Sequence, residues 1–455
     1  MILRLFLLRG NNMIRVSKYL IYLAIGFMVT AQSFSTEKDK SILGPGDNKT
    51  GYENKSYETS SSSYASRKGI KTDLVKNIRA KHLGLPIINI EENSERLKKK
   101  IELGKKIFFD RRLSLNNTFS CAMCHIPEQG FTSNEMQTAV GLEGRSNLRN
   151  APTILNVAYQ KFLFHDGREF SLESQMWQPI LSHSEMAMPS LGFTIKKIKL
   201  IPGYEKLFKE IFPNKGVTIE TVGIVVASYE RALLSGNSNF DRWYYGKDET
   251  AVSKEVKDGF NLFVGKAKCS VCHTINQEHA LFFDNKFHNT GVGYLSSMGE
   301  KLIEGAKKGK KKVQLAPGIY VDVDEDIIKS VSQQLLPNDL GLYRVTENPK
   351  HRWLFRTPTL RNISLTAPYM HNGMFSNLDE VIRFYNKGGI KNELLSPFIT
   401  KLNLTEEEIS KIEAFLNSLV GGNIEELVSD ALSTPIGEIS EDDPHWANEK
   451  NMGFD

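Results

Sequence analysis

Between residues 97 and 109 the apolar positions fall at helical spacing, with Leu97, Ile101, Leu103, Ile107 and Phe108 on one face. The pattern predicts a helix that runs into the polar stretch Asp110 to Ser114. A second helix is expected over 219–235, where Ile219, Val222, Val225, Val226, Tyr229 and Leu233 repeat at the same period. A third begins after Leu404. Thr405 and Glu408 are spaced as a capping box, Ile409, Ile412, Phe415, Leu416 and Leu419 form the apolar face, and Gly421-Gly422 supplies the stop. No sustained alternation marks a strand, so the expected class is all-α. Gly104 to Phe108 is echoed by Gly259 to Phe263, which predicts two domains of one design, with a boundary near 245–253. Residues 296–335, with lysines at 307, 308 and 310–312, are expected to be an insertion loop with a solvated basic face, a partner-docking patch being the alternative.

The chemistry sits just beyond the echoed segments. Cys121-Ala122-Met123-Cys124-His125 recurs as Cys269-Ser270-Val271-Cys272-His273, and the two motifs use all four cysteines of the chain. CxxCH is a c-type haem attachment pattern. Two thiols on one turn can each form a thioether with a haem vinyl group, and the adjacent imidazole can reach the iron. The reading is two covalent haem c groups, bound by Cys121, Cys124 and His125 and by Cys269, Cys272 and His273. No cysteine remains for a disulfide.

Haem attachment of this kind implies export, and the N-terminal pattern agrees. Met13 is a second candidate start; Arg15 and Lys18 precede an apolar run from Tyr19 to Val29, followed by small or polar residues. Residues 1–35 are expected to be a signal peptide, with an uncleaved membrane anchor as the alternative. Residues 36–84, rich in Ser, Lys, Asn and Gly towards their start, are expected to be a flexible linker. The expected domains are 85–248 and 249–422, followed by an acidic tail over 423–455. Without residues 1–31, which carry Arg4, Arg9, Arg15 and Lys18 and no acid, the formal charge falls from +5 to +1. The composition therefore gives no reason to expect a nucleic-acid partner.

The sixth iron position decides what each haem does. A strong protein ligand makes an electron carrier, whereas an open position binds peroxide and needs a nearby acid–base group. Composition does not choose a ligand among the remaining histidines, methionines and tyrosines. Several blocks, however, jointly resemble the bacterial di-haem cytochrome c peroxidase and MauG family. They are Leu103 to Ser114, Arg149 to Asn156, Asp166-Gly-Arg168, Tyr229-Glu-Arg231, Thr357 to Asn362 and Thr366 to Gly373. The likeness spans roughly 85–420 and implies two cytochrome c-like domains packed against each other.

It also implies roles. The His125 haem would be peroxidatic and the His273 haem would receive electrons from a small cytochrome or copper protein. Glu185 matches the family's catalytic carboxylate, and Gln175 and Pro179 match positions lining its pocket. Tyr385 matches the sixth-ligand position of the second haem, with Met370 as the alternative. The side chain of Asn150 and the carbonyls of Thr366 and Pro368 match a calcium site between the haems. Homodimers are common in the family. Two departures stand out. The loop Gly141 to Leu148 lacks the histidine that blocks the peroxidatic haem in classical members, which predicts an open first site. His165 stands where the family usually has Trp, so electrons between the haems would cross more slowly or use another aromatic such as Trp177. The expectation is a periplasmic enzyme that reduces hydrogen peroxide to water. The alternatives are a MauG-type enzyme oxidising side chains of a partner protein, and a non-catalytic di-haem electron carrier.

Overall fold

The computed structural model describes residues 69–302, 310–316, 319–324 and 339–434. The expected signal peptide, most of the expected linker and the last part of the expected tail lie outside the described residues. Those described all belong to one contact unit, which begins at Gly69.

Two crossed helix pairs organise it. The helix Ser94–Phe109 starts under an Asn93 cap, whose side chain accepts from Glu95 N at 2.8 Å, and buries Leu97, Ile101, Leu103, Ile107 and Phe108. Its partner, Ile219–Ala232, opens with a reciprocal Thr218–Thr221 capping box and buries Val222, Val225, Val226 and Tyr229. The expected first contact of that pattern, Ile219, is instead 43% exposed. The helices touch at Gly104, where a Cβ would lie 1.8 Å from Val225 O. The second pair repeats the arrangement. Lys254–Val264 packs on Glu406–Asn417, and a Cβ on Gly259 would lie 1.9 Å from Lys411 O. Only glycine permits either approach, which explains why Gly104 and Gly259 head the echoed segments.

Further repetition lies between the pairs. Pro152-Thr-Ile-Leu-Asn156 and Pro358-Thr-Leu-Arg-Asn362 both end on an asparagine in the left-handed region, at φ 59° and 60°. Both turns converge on Ser235. Asn156 Nδ2 donates to Ser235 O at 2.8 Å, and Ser235 Oγ donates to Asn362 Oδ1 at 3.2 Å. Arg361 is buried and engaged: Asp241 accepts from both terminal nitrogens at 2.9 Å, and Ala280 O and Gly84 O accept two further bonds. A buried guanidinium with four hydrogen bonds, two of them to one carboxylate, fixes the segments it joins.

Three expectations need correction. The linker ends earlier than residue 84. Leu74–Arg79 is a helix with Leu74 and Ile78 buried, and Asn77 Nδ2 donates to Ala232 O and Leu234 O. The tail begins later than 423. Ile424–Leu432 is a helix, and its Asp430 pairs with the buried Lys105 at 3.0 Å. Residues 296–335 are not simply a loop. A helix, Val292–Leu302, leads to an antiparallel hairpin of Lys310–Ala316 with Ile319–Asp324, in which Lys310 faces Asp324 and Lys312 faces Asp322 in register. The only other sheet among the described residues pairs Phe287–His288 with Phe355–Arg356. The protein is thus largely helical with one unexpected hairpin. No helix among the described residues is long and apolar enough to cross a membrane.

Two candidate haem centres

Each CxxCH begins as a single 3-10 turn, Cys121–Met123 and Cys269–Val271. His125 N donates to Cys121 O at 3.0 Å and His273 N donates to Cys269 O at 2.9 Å, which brings each imidazole back beside its thiols. Nδ1 of His125 lies 3.2 Å from Phe131 O, and Nδ1 of His273 lies 2.8 Å from Phe282 O. A carbonyl only accepts, so Nδ1 carries the proton in both rings and Nε2 is left with a free lone pair. That is the tautomer an iron ligand needs. Phe131 and Phe282 are both fully buried and both left-handed, at φ 57° and 56°. Burial holds both imidazoles below their usual proton affinity, against the pull of the Phe131 and Phe282 carbonyls. Paired thiols, a free Nε2 and a polarising carbonyl are what a covalent haem requires, so the residues fit the group at both centres.

A cavity of about 550 Å³ opens on the first centre. Cys121, Cys124 and His125 line it together with Gln175, Pro179 and Glu185. The sequence scattered these positions over more than sixty residues, and the fold gathers them. Burial raises the Glu185 carboxyl above the usual range, and the Arg168 charge only partly opposes this. Arg168 is anchored on Asp166 at 2.9 Å and Gln178 at 2.6 Å.

The loop that lacks the expected histidine is tied to the Glu185 segment. Leu142 N donates to Glu185 O at 2.8 Å, Arg145 Nη1 donates to His183 O at 2.9 Å, and Ser184 Oγ donates to Asn147 Oδ1 at 2.5 Å. Gly141 touches Ser184 and Glu185 so closely that a Cβ would lie 2.2 Å from Ser184 O. Ser146, Asn147 and Leu148 form one wall of the cavity.

At the second centre, Tyr385 stands on the helix Leu378–Asn386. Burial raises its phenol well above the ordinary value, and the charges of Cys272 and Cys269 add to the rise. Met370 occupies a left-handed turn, φ 70°, closed by Gly373 N donating to Met370 O at 3.2 Å. Asp284 lies beside Cys272 and accepts from Thr357 Oγ1 and His288 Nε2, each at 2.8 Å.

On the lining of the first cavity, His165 Nε2 donates to Asn150 O at 3.0 Å, and Arg356 N donates to His165 O at 2.8 Å. Burial, reinforced by Arg149, pushes this imidazole down to about 4, so it is neutral near pH 7. Asn150 N donates to His371 O at 2.8 Å, which joins the Asn150 turn to the segment carrying Thr366 and Pro368. His371 stacks on Phe355 with ring centroids 3.6 Å apart. Trp177 is buried but does not line the cavity.

Residue patterns missed the Phe131 and Phe282 carbonyls, because any residue can supply a carbonyl. Also missed were Arg356 and Glu230, which line the first cavity. Burial pushes Arg356 down to about 10.

Residues 98–249 match the family model of the di-haem cytochrome c peroxidases. The methylamine utilization protein MauG of Methylorubrum extorquens is 34% identical over 70% of this chain and 78% of its own length. Cytochrome-c peroxidase IdrP1 of Pseudomonas sp. is 33% identical over 74% of this chain and 84% of its own. A crystal structure of a MauG-like protein associated with microbial copper homeostasis aligns with a TM-score of 0.58 and 26% identity, over 79% of this chain and 97% of that one. The chain therefore belongs to the di-haem cytochrome c peroxidase and MauG family of oxidoreductases.

Proposed function

We propose that the protein is an exported di-haem cytochrome c peroxidase that reduces hydrogen peroxide to water with electrons from a small redox protein. Haem c bound at His125 would supply a peroxide-binding iron, and haem c bound at His273 an electron store filled by the donor. The observation that carries the reading is Glu185, whose carboxyl shares one cavity with Cys121, Cys124 and His125. Its raised proton affinity suits a group that takes a proton from one peroxide oxygen and returns it to the other. Gln175 and Pro179 would shape the pocket around the peroxide. Two electrons and two protons then convert one peroxide into two waters.

The two glycine-crossed helix pairs support the division into domains 85–248 and 249–422. The signal pattern and the covalent haem sites support a periplasmic location. A calcium ion held by Asn150, Thr366 and Pro368 would suit oxygen-only donors, and the bond from Asn150 N to His371 O supports their adjacency. The electrostatic coupling of the buried Tyr385 phenol to Cys269 and Cys272 supports tyrosine over Met370 as the second sixth ligand. The same tyrosine favours the second reading, a MauG-type oxidation of a partner protein, because a phenolate stabilises oxidised iron.

Glu185→Gln in the haem-loaded protein tests the assignment. The expected result is loss of peroxide turnover by about 10²–10⁴-fold, the usual contribution of a positioned proton-transfer group. Haem content and reduction of the second haem by a small carrier should be unchanged. Turnover at the wild-type rate would remove Glu185 from the chemistry. Modification of a co-expressed partner, without turnover of a reduced carrier, would favour the second reading.

A further inference from the structure

The first cavity contains a second carboxyl that the peroxide chemistry leaves unused. Glu230, on the helix Ile219–Ala232, lines it. The residue is 6% exposed, and its Oε2 is buried without a hydrogen-bond partner among the described residues. It shares the cavity with Cys121 and Glu185, and the charges of both glutamates act on Cys121. Its one adjacent cation, Arg231, is engaged elsewhere: Nη1 and Nη2 donate to the two Glu173 oxygens at 2.6 and 2.8 Å. Glu173, from the helix Leu172–Gln175, adds repulsion rather than support. Burial pushes Glu230 up to about 8, with Arg231 opposing and Glu173 assisting. A buried carboxyl without a donor is costly as an anion. Packing alone does not call for one, because glutamine fills the same space.

We propose that Glu230 is the redox-linked proton acceptor of the first haem centre. When an electron passes from the second centre to the first, one solvent proton joins the Glu230 carboxylate. The centre carries one positive charge more in its oxidised than in its reduced form. That charge holds the buried carboxylate ionised, and its loss leaves an uncompensated anion that takes a proton. The second centre loses the electron and the first gains it, while one O–H bond of a solvent hydronium breaks and one O–H bond forms on Glu230. The net charge of a water-poor cavity stays constant, which lowers the cost of each electron delivered. Glu230 shares the cavity with the haem-holding turn without handling peroxide, so its role is distinct from that of Glu185. The inference rests on His125 holding the first haem.

The test is a redox titration of the haem-loaded protein from roughly pH 5.5 to 9, following the His125 haem by its absorbance. In the wild type the midpoint potential is expected to fall with rising pH, by one proton per electron, across part of this window. Glu230→Gln, which cannot ionise, is expected to be flat there. Glu230→Asp should keep the slope but move its window, and it decides the matter if the Gln variant loads haem poorly. A wild-type slope retained in Glu230→Gln overturns the proposal. So does a slope lost in Glu185→Gln, which would assign the proton to that residue. Peroxide turnover separates this inference from the reading of the enzyme. A protein that reduces no peroxide, yet loses its slope in Glu230→Gln, is not a peroxidase but still couples Glu230 to its first haem.

Discussion

His165 donates its Nε2 proton to a backbone carbonyl, and an indole N–H in the same place could make the same bond. Imidazole is hard to oxidise, whereas indole is an easily oxidised relay. His165→Trp should therefore keep the turn and speed electron transfer between the two centres severalfold, measured by stopped-flow absorbance after reduction of the second haem. An unchanged rate would place the path elsewhere. The sequence singles out Glu185, Gln175 and Tyr385 only because long family blocks fix their spacing; alone, each reads as an ordinary helical or surface residue. Glu230 was not legible. A glutamate beside an arginine on a helix looks like half of an ion pair. Only the fold reveals that Arg231 turns to Glu173 and leaves Glu230 facing the cavity.

Three of the four paired helices were legible as elements because their apolar faces repeat over many residues and two of them have caps with sequence signatures; Lys254–Val264 showed only as the echo Gly259 to Phe263. The contact between them was not, although the echoed glycine was in view. Gly104→Ala and Gly259→Ala should each destabilise the fold, because the added Cβ would lie within 2 Å of a backbone carbonyl. Overpacking of this kind costs about 1–3 kcal/mol where side chains can yield, and backbone yields less readily. Thermal unfolding of the holoprotein should register a lower midpoint for both. Alanine tolerated at both sites would mean that the pairs are not held at these crossings. The short helices Leu74–Arg79 and Ile424–Leu432 escaped prediction because tertiary contacts, not propensity, hold them: Asn77 on Ala232 and Leu234, and Asp430 on Lys105. The hairpin escaped because the lysines at 310–312 read as a solvated run.

Segments far apart in the chain are joined by Arg149, which pairs with Asp339 at 2.6 Å and Asp166 at 2.8 Å. Burial opposes ionisation of Asp339, but the Arg149 hydrogen bond and charge outweigh it and bring the carboxyl down to about 2. A depressed folded value means that the stabilisation is present above the unfolded value near ~3.9 and is lost as the pH falls through the folded one. At two units of depression it is on the order of 2 kcal/mol. Asp339→Asn should therefore unfold more easily at neutral pH and show less further loss between roughly pH 4 and 2. Equal acid sensitivity in variant and wild type would place the acid-labile contact elsewhere.

The proposed function requires two unlike haem centres, one that would be open at His125 and one that Tyr385 would close at His273. An electron paramagnetic resonance spectrum of the ferric protein, recorded beside Tyr385→Phe, tests this most directly. A high-spin signal from the first centre should appear together with a low-spin signal from the second, and only the low-spin signal should change in the variant. Two low-spin signals, both unaltered by Tyr385→Phe, would contradict both the open first site and the tyrosine ligand.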